Sequence, residues 1–189
     1  MKRLIGVLAL QGDFAKHQKM LVNSGVDTVQ VKTVYDLNKC DGLVIPGGES
    51  TTLTKLIKAY DLYEPIRKFA EGKPVMGTCA GLIMLANNVD DSRVKPFGLL
   101  DITVSRNAYG RQIDSFVDDL DIKFVNEKED DFKGVFIRAP KILEVNDSAE
   151  VLIYHNNSPV MVRQNNIIGL SFHPELTDDT RIHEYFLSI

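Results

Sequence analysis

The stretch Pro74-Val-Met-Gly-Thr-Cys79-Ala-Gly-Leu-Ile-Met-Leu-Ala86 decides how this chain is read. Pro74 to Thr78 predicts a short buried strand, and the apolar run beyond Cys79 predicts a helix that begins at once. A strand-to-helix corner this tight holds its central side chain in a strained, exposed position and closes only around small neighbours. Gly77, Ala80 and Gly81 meet that need. The corner also sets Cys79 at a helix N-terminus, where unpaired amides and the helix dipole favour a thiolate. That is the setting of a cysteine nucleophile. The competing reading is a free cysteine buried in an ordinary α/β core, a common fate for this residue.

Upstream of the corner, Leu4 to Leu10 is a nearly continuous apolar run of the kind found in sheets covered on both faces. A helix from Gly12 or Asp13 to Ser24 follows, closed by Gly25. Val26 to Val31 alternates as a second strand, and Leu43 to Ile45 is a third, ending at Pro46-Gly47-Gly48. Ser50 or Thr51 can cap a helix with Leu53, Leu56, Ile57 and Tyr60 as its apolar stripe, and a further helix runs from Leu62 toward Ala70. This alternation predicts an open α/β sheet flanked by helices, with its site at the carboxyl ends of the strands. Three loops leave such ends: Gln11-Gly12, Pro46 to Glu49, and Cys79.

From Leu99 onward, short strands dominate: Leu100–Val104, Ile122–Val125, Gly134–Ile137, Ile142–Val145, Val151–Tyr154, Val160–Arg163 and Ile167–Phe172. Asn165-Asn166 forms a hairpin turn between the last two. No Pro/Gly/Ser linker interrupts the chain, so residues 1–189 are expected to be one domain with a mixed sheet, closed by a helix from Asp178 or Asp179 to Leu187. A net charge of −4 gives no general pull toward nucleic acid or anionic membrane. No window reaches spanning length. Two cysteines are too few for a disulfide framework or a cysteine-rich metal site, so a cytoplasmic protein without metal or cofactor is expected. The acidic cluster Asp118-Asp119, Asp121 and Glu127 to Asp131 reads as a solvated rim, since it lacks a glycine-centred calcium-loop spacing.

Of the four histidines, His173 follows an apolar strand, and Glu175 stands two residues on, a spacing that shares a face in extended backbone. A Cys79-His173-Glu175 set would let His173 take the thiol proton while Glu175 fixes its tautomer. A capped strand end would look the same. His155 also follows a strand and is the second candidate base. His17 and His183 are expected to be partly exposed helix residues. An attacking thiolate creates an oxyanion that needs two donors. The Ala80 amide is one, and Gly47-Gly48 is the candidate for the other, since glycine permits the amide orientation. The same loop also reads as a plain turn, and it lacks the lysine of a Walker loop.

Gly77-Thr-Cys79-Ala-Gly81, Phe172-His-Pro-Glu175 and Pro46-Gly-Gly48 together resemble the class I glutamine amidotransferases. The likeness extends to the glutaminase subunits of pyridoxal 5'-phosphate synthase. It is carried by Gly6-Val-Leu-Ala-Leu-Gln-Gly12, Pro46-Gly-Gly-Glu-Ser-Thr-Thr52, Ser105-Arg-Asn-Ala-Tyr-Gly-Arg-Gln112, Phe136-Ile-Arg-Ala-Pro140 and Phe172-His-Pro-Glu-Leu176. Tyr109 stands where phenylalanine is more usual. The resemblance implies a flavodoxin-like fold of that class and hydrolysis of L-glutamine. The ammonia would pass to a (β/α)8-barrel synthase subunit in a complex of twelve plus twelve chains. It further implies Cys79, His173 and Glu175 as the triad, and Gly47, Gly48, Glu49, Arg106, Ile137 and Arg138 as glutamine-binding positions. Gln11 is implied to respond to the docked partner. An arginine gripping the α-carboxylate and Glu49 the α-ammonium would suit free glutamine, although Arg106 and Arg138 also read as surface ion-pair residues. Another cysteine-dependent acyl hydrolase or peptidase, or a nonenzymatic regulatory module, remains as the alternative.

Overall fold

The computed structural model describes residues 2–106, 115–122 and 131–189. Its first half alternates β1 (Leu4–Leu8), α1 (Phe14–Asn23), β2 (Asp27–Val31), α2 (Val34–Asn38), β3 (Gly42–Ile45), α3 (Ser50–Ala59), α4 (Tyr63–Ala70), β4 (Val75–Thr78) and α5 (Ala80–Leu85). Then come β5 (Ala86–Val89), β6 (Leu100–Ser105), β7 (Phe116–Leu120), β8 (Phe132–Phe136), β9 (Lys141–Val145), β10 (Glu150–His155), β11 (Ser158–Gln164), β12 (Ile167–Leu170) and α6 (Arg181–Leu187).

A seven-stranded sheet in the order β10-β11-β12-β4-β3-β1-β2 forms the centre. The five strands from β12 to β2 run parallel, and β10 and β11 extend the sheet antiparallel. The expected mixed α/β sheet is therefore present, and the antiparallel extension is the Asn165-Asn166 hairpin region. Strands β3, β4 and β12 are buried at every residue because both of their faces are covered. Their side chains alternate accordingly. Leu43, Ile45 and Val75 pack under α3, α4 and α5 in one core, while Val44, Met76, Ile168 and Leu170 meet Leu21 of α1, Ile182 and Phe186 of α6, and Phe132 and Phe136 of β8 in the other. Two smaller sheets complete the two cores: β5-β6-β9 adds Leu100, Ile102, Val104 and Ile142 to the first, and β7-β8 adds Leu120, Phe132 and Phe136 to the second.

Several boundaries depart from the sequence reading. The first strand stops at Leu8 and the last at Leu170, two residues short in each case. Helix α3 is capped by Glu49 rather than Ser50 or Thr51: the Glu49 carboxylate accepts from the amides of Thr51 and Thr52. Tyr60 is half exposed and does not continue the stripe. Helix α2, β5 and β7 were not expected, and Ile122 is buried but lies outside any strand. Residues 123–125 of that expected strand, 127–130 of the acidic cluster, and 107–112 of the quoted motif, Tyr109 included, lie outside the described residues. Asp118 and Asp119 are exposed, as a solvated rim requires. Among the described residues no helix is long and apolar enough to cross a membrane.

Candidate active site

Strand register brings the loops together before any side chain is considered. Gly77 is level with Ile45 on one side and Gly169 on the other, and Leu170 is level with Thr78. One or two residues further along, Cys79, Gly47 and the segment leading to His173 must emerge side by side. Strand β1 runs in step with β3, so Gln11-Gly12 leaves the sheet beside the same loop.

Cys79 sits at φ 50°, ψ −103°, the only residue between β4 and α5. A positive φ is costly for a side chain with a Cβ and persists only where its surroundings dictate it. They do so here: the Cys79 amide donates to the Leu170 carbonyl at 2.8 Å, and its carbonyl accepts the Ile83 amide at 3.2 Å. Helix α5 can pack this close because a Cβ on Gly81 would lie 2.1 Å from the Ile45 carbonyl oxygen. Strain and exposure were both expected, and only the strain is found. Cys79 is only 6% exposed, because the segment after β8 covers it, with the Ile137 carbonyl 3.9 Å from Sγ.

His173 and Glu175 are both buried, and Nδ1 of the ring lies 2.8 Å from Oε1 of the carboxylate. The geometry that joins them is not the extended i, i+2 pairing expected. Pro174–Leu176 is a single 3-10 turn, entered from His173 at φ −110°, ψ 87°, and the His173 amide is held by the Val135 carbonyl at 2.8 Å. Burial alone would lower the proton affinity of His173. The neighbouring Cys79 sulfur and Glu175 carboxylate outweigh it and push the ring up to about 10. Burial likewise opposes ionisation of Glu175, while His17 and His173 hold its carboxyl below the ordinary range. Together these shifts describe a site poised to hold an imidazolium between two acidic groups.

Gly47 completes the cluster. A Cβ there would lie 2.6 Å from Cε1 of His173 and 3.4 Å from the Cβ of Cys79, so the loop passes within contact of both. Gly48 has φ +137°, and the side chain of Gln11 lies against it. The Gln11 amide donates to the Glu49 carbonyl at 2.8 Å, tying the end of β1 to this loop. Ala80 opens α5 directly beneath the thiol.

Glu49 and Arg106 meet in an ion pair, and Arg106 also donates to Asp91 at 2.6 Å. Burial opposes ionisation of Glu49, yet the hydrogen bonds from Thr51 and Thr52 hold it at about 2. Its carboxylate thus already serves α3 and Arg106. Ile137, 38% exposed, and Arg138, at φ 45°, lie on the segment that covers Cys79. Arg138 has no ion-pair partner among the described residues.

The other candidates fall away from this point. His155 stacks on Phe116, lies tilted against Phe136 and pairs with Asp118 at 2.8 Å. Cys40 is buried against the Asp36 carbonyl, and burial pushes its thiol up to about 11. His17 and His183 were expected to be partly exposed; both are fully buried, and His17 reaches the back of Glu175. Only a face-by-face reading of α1, with His17 in register with Met20 and Leu21, could have placed it inward. No group of three or more His, Cys, Asp or Glu residues suited to a metal occurs among the described residues.

An open α/β sheet with this corner and this neighbouring strand end is that of a class I glutamine amidotransferase. A solved structure described as a glutamine amidotransferase is 42% identical and superposes with a TM-score of 0.90, covering 97% of each chain. The structure of PurLQS from Thermotoga maritima, 18% identical with a TM-score of 0.78 over 100% of this chain and 99% of its own, shares the fold. The model of the SNO glutamine amidotransferase family matches residues 7–189, and the chain belongs to that family. Among its relatives, pyridoxal 5'-phosphate synthase subunit PdxT of Thermosipho africanus is 50% identical over 98% of this chain and 97% of its own. The PdxT subunit of Bacillus cereus is 51% identical over 98% and 93%.

Proposed function

We propose that this chain is the glutaminase subunit of a pyridoxal 5'-phosphate synthase, releasing ammonia from L-glutamine for vitamin B6 synthesis. The observation that carries the reading is the meeting of Cys79, His173 and Glu175 at the carboxyl ends of β4 and β12, with Gly47 in contact with both the ring and the cysteine. In a family of glutamine amidotransferases, that meeting has one economical use.

The Cys79 thiolate attacks the side-chain amide carbon of glutamine, and the carbonyl electrons move to oxygen. The Ala80 amide and the Gly47-Gly48 loop supply the donors that stabilise the oxyanion. Its collapse breaks the C–N bond, the His173 imidazolium gives its proton to the departing nitrogen, and ammonia leaves a glutamyl thioester. His173 then takes a proton from water, whose oxygen attacks the thioester. Collapse of that second oxyanion releases glutamate, and the proton on His173 restores the imidazolium beside the thiolate. Glu175 keeps Nδ1 protonated throughout, so that Nε2 faces the reaction. Arg138, without an ion-pair partner among the described residues, is the cation for the α-carboxylate of glutamine. Glu49, already held by Arg106 and α3, offers its remaining acceptor capacity to the α-ammonium, and Ile137 packs beside the substrate chain. No cofactor is required.

The resemblance to PdxT subunits extends the proposal to a partner: a (β/α)8-barrel synthase subunit, twelve copies of which carry twelve of these chains in the cytoplasm. Gln11 transmits docking to the Gly47-Gly48 loop in this scheme, a role supported by its bond to the carbonyl of Glu49. The test is ammonia release from glutamine with and without that synthase, for the wild type and for Cys79→Ala. The wild type should release ammonia, faster when the synthase is present, and Cys79→Ala should lose at least about a thousandfold in kcat. Substantial turnover by Cys79→Ala would remove the nucleophile from the scheme.

A further inference from the structure

Behind Glu175 lies a second pair of imidazoles that the triad chemistry does not use. His17 on α1 and His183 on α6 are fully buried, with Nδ1 of His17 3.1 Å from Nε2 of His183. On its other side, Nε2 of His17 is 3.2 Å from Oγ1 of Thr78 and 3.3 Å from Oε2 of Glu175. This is the carboxylate oxygen that does not bond His173. Oε2 is buried and has no hydrogen-bond partner of standard geometry among the described residues, so the His17 ring is the polar group offered to it.

The placement of protons follows from the far end of the chain. Nδ1 of His183 is buried with no partner among the described residues. A proton on that atom would bury an N–H without an acceptor, reverse the His17–His183 bond, and aim the bare Nε2 lone pair of His17 at a carboxylate. With protons on Nε2 of both rings, His183 donates to Nδ1 of His17 and His17 donates to Thr78 Oγ1, with Nε2 of His17 also 3.3 Å from the ionised Glu175 Oε2. Only one lone pair, on His183, is left over. Burial keeps both rings neutral, holding His183 down at about 3 and His17 below its ordinary value.

We infer that His17 is a positioning residue of the glutaminase site: with its tautomer fixed by His183, it sets a buried Nε2–H on Thr78 Oγ1 and beside Glu175 Oε2, and so holds that carboxylate ionised and turned toward His173. The other charged or titratable groups near this carboxylate are few. His173 faces it from its own turn and Asp13 approaches His17, while Cys79 stands beyond His173. Lys16, Lys19 and Asp178 border the open cleft outside the 3-10 turn. None of these takes the place of a buried donor at Oε2. Thr78, on β4 directly beneath the corner, shares the donor and ties the pair to the strand that presents Cys79.

The inference rests on the glutaminase reading only for its kinetic arm. In wild-type protein labelled with [15N]histidine, His17 and His183 should both be neutral Nε2–H tautomers from about pH 6 to 8. A protonated His17, or an Nδ1–H tautomer, overturns the inference. His17→Leu should lower kcat at least about tenfold with KM little changed. Without the donor Glu175 gains a proton more readily, so the acid limb of Cys79 alkylation by iodoacetamide should move up by about one pH unit. His17→Gln, whose amide can present a donor in place of Nε2, should recover most of both. A folded His17→Leu protein with wild-type kcat and alkylation profile overturns the inference, as does equal loss in the Gln variant. If His17→Leu does not fold, the tautomer spectrum and His17→Gln carry the test alone. Activity persisting in Cys79→Ala would defeat the glutaminase scheme while leaving the tautomer result untouched.

Discussion

A Cβ on Gly47 would overlap Cε1 of His173, and nothing about the φ of that residue demands glycine: it stands outside the positive-φ glycines. Its role is one of contact. Gly47→Ala should therefore fold, because the collision is with one ring rather than with the core, yet it must push either the loop or the imidazole by about an ångström. A displacement of that size at a reacting group costs about a hundredfold in rate. Gly47→Ala is thus expected to lower kcat by about two orders of magnitude while the thermal melt stays near that of the wild type, and a kcat within twofold of wild type would show that the loop yields instead. Sequence order alone could name this glycine but not its reason, since a plain turn after β3 would carry the same residues. The histidines show the opposite failure. His17 and His183 read as solvent-side helix residues because imidazole is polar, yet two neutral rings joined by an N–H···N bond can be buried at little cost. That pairing spans residues of the first and last helices, and its local trace is the face that His17 shares with Met20 and Leu21 on α1.

Among the elements, those placed best by the sequence were the ones whose pattern is stiff: β3 and β12 are apolar throughout, β4 is apolar up to Thr78, and α1, α3 and α4 bury residues at 3- and 4-residue spacing. The missed ones were short. Helix α2 spans only Val34–Asn38, but its start is marked by a reciprocal pair: the Thr33 side chain accepts from the Asp36 amide while Asp36 accepts from the Thr33 amide. That pattern was available in the sequence as Thr33-x-x-Asp36. Strand β7 was hidden by exposed Asp118 and Asp119, which face solvent on a two-stranded ribbon. Helix α3 offers a measurement. Its cap, Glu49, is partly exposed, so the ion pair with Arg106 contributes little, whereas losing the bonds to Thr51 and Thr52 removes an N-cap. Glu49→Ala should lower the free energy of unfolding in urea by about 1 kcal/mol. A loss above about 3 kcal/mol would mean that the carboxylate anchors more than this helix.

Across the whole molecule, the buried ionisable groups shape how stability varies with pH. His173 is raised from 6.5 to about 10, so its stabilising contribution is complete below 6.5 and disappears as the pH climbs toward 10. His17 and His183 are lowered, so below 6.5 the unfolded chain takes up protons that the folded chain refuses. Stability then falls with acidification, down to about 3 for His183. Glu49 adds a second acid loss, beginning at 4.5 and ending near 2. Urea unfolding followed against pH should give a maximum near neutrality, with the acid slope between 6.5 and 4.5 belonging to the histidines and flattened by His183→Leu. No slope in that interval would show that the buried pair accepts protons freely.

The place of β12 in the sheet has a consequence for how the protein comes into being. It enters between β11 and β4, two positions in from the edge, and delivers the base to a thiol made far earlier in the chain. A growing polypeptide that has emerged only as far as α5 lacks both the Leu170 carbonyl that fixes the bend at Cys79 and the ring that activates its thiol. Glutamine reaching the half-made subunit is therefore left intact, and reactivity waits for the last strand to enter the sheet.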